Sequence, residues 1–279
     1  MSICYIPKTM DELAENLSHL TQDSIVLAGG TDLILHLRAN HVQPDVMLSL
    51  SDVPELRAID ITPERAVIGA MATMLQVTQA TAHLPDLQAL ADAAGGVGSP
   101  QIRNKGTIGG NVANASPAGD LPPVLWLLNA QVNIMGPGAA RRAMPIQEFT
   151  TGSGKTDLKT GEVVTGFTID RAAFRGWRSV FKKLGHRAQV TISRIGLAVA
   201  LKLDEDGVVQ DARVVAGAIK PTPFQLPAAE ALLRGNRPDP ALAVAIGETF
   251  KGNTRRVYKE MAAKGVAEDV LLAFYERGQ

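Results

Sequence analysis

One stretch of the sequence stands out, QIRNKGTIGGNVANASPAGDLPP, which runs from Gln101 to Pro123. Glycine and proline at this density are found in flexible linkers, but the apolar Ile108 and the polar Asn111 and Asn114 favour an ordered loop with polar functions. Its small residues would let the backbone approach a ligand closely. The carboxylate of Asp120 would be able to accept hydrogen bonds from ribose hydroxyls. A complex turn with asparagines at left-handed positions is the alternative interpretation.

A second glycine pair lies earlier in the chain, in Ala28-Gly29-Gly30-Thr31-Asp32. It follows the apolar run Ser24–Ala28, which predicts a buried strand, and it precedes a predicted helix. Adjacent glycines can take positive φ and aim successive N–H groups into a nest that suits a pyrophosphate, to which Thr31 adds a hydroxyl donor. A tight turn with Thr31 or Asp32 as the helix N-cap remains an equal alternative.

Composition and charge exclude several classes of protein. The 279 residues carry 28 lysines and arginines against 28 aspartates and glutamates, so neither nucleic acid nor an anionic membrane is expected as the main partner. A single cysteine, Cys4, permits no disulfide within the chain and no four-cysteine iron–sulfur cluster. The N-terminus does not have the pattern of a signal peptide, and no apolar run approaches the ~20 residues that span a bilayer. We therefore expect a cytoplasmic location.

The motifs of side-chain catalysis are missing. The five histidines show no metal-ligand spacing, and there is no GxSxG nucleophile motif, so we expect no catalytic residues and no metal site. Gly152–Thr156 ends like a phosphate-binding P-loop, but Phe149 stands where that motif needs its first glycine. Gly136-Pro137-Gly138 has Arg141 in place of the third glycine of a Rossmann fingerprint. Two glycine loops in such a chain favour a bound dinucleotide.

A family resemblance rests on five segments of the sequence. The sequence closely resembles the FAD-binding, or medium, subunits of the molybdenum hydroxylases. This family includes xanthine dehydrogenase, carbon monoxide dehydrogenase and aromatic hydroxylases. The matching segments cover residues 28–33 (AGGTDL), 101–123, 152–169 (GSGKTDLKTGEVVTGFTI), 181–193 (FKKLGHRAQVTIS) and 216–223 (AGAIKPTP). The similarity extends over nearly the whole chain.

The resemblance implies an α+β fold in two parts. Residues 1–170 would form an FAD-binding domain of the vanillyl-alcohol-oxidase type, with subdomains at about 1–55 and 56–170. Residues 171–279 would form a smaller C-terminal α/β domain, made of a three-stranded antiparallel sheet and helices.

The resemblance also implies which residues contact FAD. Leu27–Asp32 would hold the pyrophosphate, the glycine pair after Thr107 would approach the pyrophosphate and the flavin, Asp120 would make polar contacts, and Lys182 would lie near the flavin. The full predicted set is Leu27, Ala28, Gly29, Gly30, Thr31, Asp32, Val97, Ile102, Gly106, Thr107, Gly109, Gly110, Asn111, Ser116, Asp120, Val164 and Lys182.

The implied function is electron transfer within a larger complex. A large molybdopterin subunit would hydroxylate the substrate, [2Fe–2S] clusters in a small subunit would carry the electrons to FAD in this chain, and FAD would pass them to NAD or another acceptor. Such complexes are expected to be dimers of heterotrimers. Two alternatives stay open, a stand-alone flavin oxidoreductase and a nucleotide-binding assembly module without a redox cofactor.

Overall fold

The computed structural model describes residues 2–187, 190–254 and 256–276, and within these residues the chain forms a mixed α/β fold. The strands are β1 (Ile3–Tyr5), β2 (Ile25–Leu27), β3 (Val46–Ser49), β4 (Ile59–Ile61), β5 (Arg65–Gly69), β6 (Gln131–Met135), β7 (Arg141–Pro145), β8 (Thr150–Gly152), β9 (Lys155–Thr156), β10 (Val163–Asp170), β11 (Trp177–Leu184), β12 (Ile195–Leu203), β13 (Val209–Gly217) and β14 (Phe224–Gln225). The α-helices are α1 (Met10–Leu17), α2 (Leu33–Ala39), α3 (Met74–Thr81), α4 (Gln88–Gly96), α5 (Pro100–Arg103), α6 (Ile108–Ala113), α7 (Leu121–Leu127), α8 (Ile146–Phe149), α9 (Pro227–Leu233), α10 (Ala243–Glu248) and α11 (Val257–Glu276).

The first sheet is parallel, with the strand order β1–β3–β2. Helix α1 is capped by Thr9, whose hydroxyl oxygen accepts a hydrogen bond from the Glu12 N–H at 3.1 Å. Leu13 and Leu17, at helical spacing, are buried in one apolar cluster with Leu48 of the central strand. The edge strand β2 ends at Leu27, and the first glycine loop follows directly at the end of this strand.

The second sheet is antiparallel, with the strand order β4–β5–β10–β6–β7. Phe167 of the central strand lies opposite Ile68 and Val132 on the neighbouring strands, and all three side chains are buried. They belong to the same core as Leu90 of α4 and Val124 of α7. One face of the sheet is therefore covered by the helices that frame the second glycine-rich stretch.

The third sheet is antiparallel and buried on both faces, which explains an ambiguity in the sequence. The sequence predicts either two strands, or one strand and one helix, for the segments 180–184 and 195–203. Both are strands, and the second forms β12. Ala198 and Ala200 point into the core shared with α4 and α7, whereas Leu197 and Val199 point into a second core with α9, α10 and α11. Because both faces are apolar, the strand shows no alternation of polar and apolar residues.

Two details of the C-terminal part differ from expectation. The three long strands β11, β12 and β13 are joined by a fourth, β14, whose Phe224 and Gln225 pair with Ala216 and Val215. A strand of two residues is too short to produce a recognisable pattern. The sequence predicts a helix over 266–275, but α11 already begins at Val257. The first turns expose apolar side chains such as Met261, so they lack the apolar spacing by which an amphipathic helix is recognised.

The division of the chain near residue 170 stays a prediction. Across that point the packing is continuous, because Phe181, Ala198, Ala200 and Val215 of the third sheet are buried in the core whose other members lie mostly before residue 175. The two parts therefore share an apolar core.

Arg171 links the end of β10 to two distant loops. Its Nε and Nη2 donate to the two carboxylate oxygens of Asp86 at 2.8 and 2.9 Å, and its Nη1 donates to the Thr62 carbonyl oxygen at 2.6 Å. The side chains of Arg171 and Asp86 are only 14 % and 11 % exposed, so removing the guanidinium would leave a buried carboxylate without its partner.

Arg171→Met is expected to lower the free energy of unfolding by about 3 kcal/mol, the cost of breaking a buried ion pair. The matched control is Arg65→Met, because the ion pair of Arg65 with Asp60 is exposed and its loss should cost less than about 1 kcal/mol. Urea denaturation of both variants measures the difference, and equal losses would contradict it.

Candidate functional site

A cleft with a volume of about 700 Å³ is lined by both glycine loops, by residues 190–193 and by residues of α3, α5 and β10. This volume falls within the range of sites that hold small molecules and cofactors. The two loops, distant in the sequence, therefore face the same cavity.

The first glycine loop, Ala28–Asp32, connects β2 to α2 and is shaped by close backbone packing. A Cβ atom on Gly29 would stand 2.0 Å from the carbonyl oxygen of Lys105, which leads into the second loop. Gly30 adopts a φ of 70°, in the left-handed region that favours glycine. Within the described part of the chain, the backbone N–H groups of Gly29, Gly30 and Thr31 donate to no acceptor. Such a cluster of free donors at a strand-to-helix turn suits an anionic group.

The second glycine loop, Thr107–Asp120, is an ordered segment that contains α6, which excludes the linker interpretation. Thr107 caps this helix, because its hydroxyl oxygen accepts a hydrogen bond from the Gly110 N–H at 3.1 Å. A Cβ atom on Gly109 would stand 2.7 Å from the carbonyl oxygen of Ala70, so glycine is required where α6 packs against the end of β5.

Two asparagines of the second loop have different surroundings. Asn114 donates from Nδ2 to Oδ2 of Asp32 at 3.0 Å, and this bond joins the two loops through their side chains. Asn111 lines the cleft, and its buried Oδ1 finds no donor among the described residues. A buried acceptor without a partner is costly, so a ligand carrying N–H or O–H groups fits this position. Both the free donors of the first loop and this acceptor agree with a bound dinucleotide.

A buried ion pair closes one side of the cleft. Lys183 donates from Nζ to Oδ2 of Asp120 at 2.6 Å and to the Gly96 carbonyl oxygen at 2.9 Å, and Ser193 donates from Oγ to Oδ1 of Asp120 at 2.5 Å. Burial raises the pKa of Asp120 above its ordinary value, while the Lys183 ammonium and the Ser193 hydroxyl act against this shift. The ion pair joins the end of β11 to the segment before α7.

Of the residues predicted to bind FAD, all but Leu27 and Lys182 line the cleft. Those that line it are Ala28, Gly29, Gly30, Thr31, Asp32, Val97, Ile102, Gly106, Thr107, Gly109, Gly110, Asn111, Ser116, Asp120 and Val164. Leu27 lies behind the loop, where its Cδ1 atom would be 3.2 Å from a Cβ atom on Gly30. The structure thus brings the predicted residues together, and their contacts with FAD stay a prediction.

The lysine at the cleft is Lys183 and not the predicted Lys182. Side chains alternate between the faces of a strand, so a shift of one residue reverses the direction of the side chain. On β11, Phe181 packs in the core shared with α4, and Lys183 reaches Gly96 at the end of that helix. Val180 belongs to the opposite core, which places Lys182 on the face away from the cleft.

Sequence reasoning missed other residues of the cleft wall. Thr191, Ile192 and Ser193 line the cleft, as do Glu162 and Met71. Glu162 is held by Arg142, whose Nε and Nη2 donate to it at 2.8 and 2.7 Å; these hydrogen bonds lower the pKa of Glu162. Residues 181–193 were part of the resemblance, but a motif does not reveal which of its side chains face inward.

The segment that resembles a P-loop has no phosphate-binding geometry. It forms the hairpin of β8 and β9, with Gly154 in the turn at a φ of 66°. The presence of Phe149, where a P-loop has its first glycine, therefore predicted correctly that this segment is not a P-loop.

The two glycine loops form a cleft that suits a dinucleotide, and comparison with known protein families indicates that this dinucleotide is FAD. The family model described as FAD binding domain in molybdopterin dehydrogenase matches residues 1–171. The model of the CO dehydrogenase flavoprotein C-terminal domain matches residues 179–265. The chain belongs to the family of FAD-binding medium subunits of molybdenum hydroxylases, its cofactor is FAD, and it is an oxidoreductase subunit.

Individual relatives agree with this assignment. The chain is 35 % identical over 236 residues to the nicotinate dehydrogenase FAD-subunit of Eubacterium barkeri, which covers 83 % of this chain and 79 % of that relative. It is 31 % identical to the glyceraldehyde dehydrogenase medium chain of Sulfolobus acidocaldarius, over 71 % of this chain and 69 % of the relative. Among solved structures, carbon monoxide dehydrogenase from Hydrogenophaga pseudoflava superposes with a TM-score of 0.86 at 27 % identity, covering 99 % of this chain and 98 % of that one. Within the described residues, no helix has both the length and the apolar composition needed to cross a bilayer.

Gly29→Ala is expected to reduce FAD affinity at least tenfold and to cost about 1–3 kcal/mol of stability, because the new methyl group would overlap the Lys105 carbonyl oxygen. The control is Gly265→Ala in α11, where no heavy atom of the described residues, apart from the two chain neighbours and the helix's own backbone, lies within 4 Å of the new Cβ. That variant should bind FAD with unchanged affinity, and its free energy of unfolding should rise by up to about 1 kcal/mol, because alanine favours helix formation more than glycine does. Fluorescence titration with FAD and thermal unfolding measure both; unchanged FAD affinity in Gly29→Ala would contradict the role of the loop contact.

Proposed function

We propose that this chain is the electron-transfer subunit of a molybdenum hydroxylase. FAD bound in the cleft would accept electrons from [2Fe–2S] clusters of a small partner subunit and pass them to NAD or another acceptor. A large molybdopterin subunit would carry out the hydroxylation. The complex would be a dimer of heterotrimers in the cytoplasm.

The observation that carries this proposal is the convergence of the two glycine loops on one cleft. The free N–H groups at Gly29, Gly30 and Thr31 are suited to the pyrophosphate of FAD, since they present several donors to one anionic group. The unpaired Oδ1 of Asn111 and the small residues Gly109 and Gly110 would accommodate the rest of the nucleotide at short range.

The chain's own residues would bind and orient the cofactor, while FAD supplies the redox chemistry. Apolar side chains such as Met71, Val97 and Val164 line the cleft and would exclude water from a bound ring system. Lys183 would place a positive charge beside it, taking the position expected of Lys182. The Asp120 carboxylate already accepts hydrogen bonds from Lys183 and Ser193, so we assign it no direct hydrogen bond to the cofactor.

The partner subunits are proposed from the relatives. Those similar to this chain are named as an FAD-subunit or a medium chain of dehydrogenases, names that describe one component of a larger enzyme. By the same description this chain would be one component of a larger enzyme, and we infer that partner subunits would hold the molybdenum cofactor and the iron–sulfur clusters.

The proposal predicts that the purified chain binds FAD much more tightly than ADP and shows a flavin absorption band. Affinity purification from the native host should recover two further subunits, one with molybdenum and one with iron and sulfide, as measured by metal analysis. Equal affinity for ADP and FAD would favour an assembly module. Reduction of the flavin by a substrate in the isolated chain would favour a stand-alone oxidoreductase.

A further inference from the structure

The Lys183 ammonium has an unused hydrogen-bond donor at the cleft. A lysine ammonium carries three N–H donors. Two are directed to Asp120 and to the Gly96 carbonyl oxygen, and within the described residues no third acceptor is found. Because Lys183 lines the cleft, the remaining donor and the positive charge are available to a molecule bound there.

Asp120 is the counter-ion of this charge, and both of its oxygens are held. Oδ2 accepts from Lys183 and Oδ1 accepts from Ser193. The residue is only 6 % exposed, and an ionised carboxylate in such surroundings depends on its hydrogen-bond donors and on its opposite charge. Both donors come from the C-terminal side of residue 170, whereas Asp120 precedes α7.

Ser193 has no ionisable group, and it contacts the ion pair through this hydrogen bond. Its side chain is buried, it lies immediately before Arg194 and β12, and its hydroxyl is directed at the Asp120 carboxylate. Loss of the hydroxyl would leave Oδ1 without its donor in a buried position, which weakens the ionised form of the carboxylate.

We propose that the opposite charges of Lys183 and Asp120 set the reduction potential of the bound flavin, and that Ser193 is a positioning residue that holds the Asp120 carboxylate. This inference rests on the proposed binding of FAD in the cleft. A flavin becomes more negative when it is reduced, so a nearby ammonium favours the reduced form and a nearby carboxylate disfavours it.

The inference predicts potential shifts of opposite sign in two variants. Lys183→Met removes the positive charge and should lower the midpoint potential. Asp120→Asn removes the negative charge at similar size and should raise it. A change of about tenfold in the reduction equilibrium corresponds to ~30 mV for a two-electron couple. The potentials are measured on the FAD-loaded chain at one pH, by reduction with dithionite in the presence of reference dyes.

The Ser193 variants separate positioning from packing. Ser193→Ala should raise the potential, though less than Asp120→Asn, because the carboxylate remains but its ionised form is less well held. Ser193→Thr keeps the hydroxyl and should restore the potential of the unaltered chain. Lys182→Met is the matched control, because Lys182 is the neighbouring lysine on the opposite face of β11. The midpoint potential of the flavin in this variant should equal that of the unaltered chain.

The outcomes distinguish this inference from the proposed function. If the unaltered chain binds no FAD, the proposed function is wrong. If it binds FAD but Lys183→Met and Asp120→Asn shift the potential in the same direction, or neither shifts it, the charge pair does not set the potential. Should Asp120→Asn fail to fold, equal potentials in Ser193→Ala and the unaltered chain would overturn the role of Ser193.

Discussion

The carbonyl oxygen of Lys105 occupies the space where a side chain on residue 29 would have to lie. Because no other residue can replace glycine there without moving the backbone, the turn after β2 and the segment before α6 are held in direct contact. That contact places a strand-to-helix turn with free N–H groups beside a loop with an unpaired asparagine oxygen. The cleft is a consequence of this packing, and the Asn114–Asp32 hydrogen bond fixes the two loops further.

The remaining wall of the cleft depends on the third sheet. This sheet is buried on both faces; on its strand β12, Ala198 and Ala200 face α4 and α7, whereas Leu197 and Val199 face the C-terminal helices. Strand β11 packs against α4, with Phe181 in the shared core, and the end of β11 therefore lies near the end of that helix. From there Lys183 reaches Gly96 and Asp120, so the packing of an apolar core determines the position of a charged group.

Much of the site could be predicted from the sequence, because glycine pairs after an apolar strand have few structural interpretations. The two loops, the family and the cofactor follow from segments such as Ala28–Leu33 and Gln101–Pro123. The choice between Lys182 and Lys183 could not be made, since it depends on which face of β11 meets α4. Ser193 was missed for a similar reason: its partner, Asp120, is a long-range contact without a local sequence signal. Strand β14 and the early start of α11 escaped detection because neither has a periodic apolar pattern.

The core shared across residue 170 limits how this family can recombine its parts. A chimera that joined residues 1–170 of this chain to the C-terminal half of a relative would have to supply side chains that match Phe181 and the alanines of β12. It would also need a cation and a hydroxyl directed at Asp120, or that carboxylate would be buried without partners. The two halves are therefore expected to vary together in evolution, even though each is recognised as a module of its own.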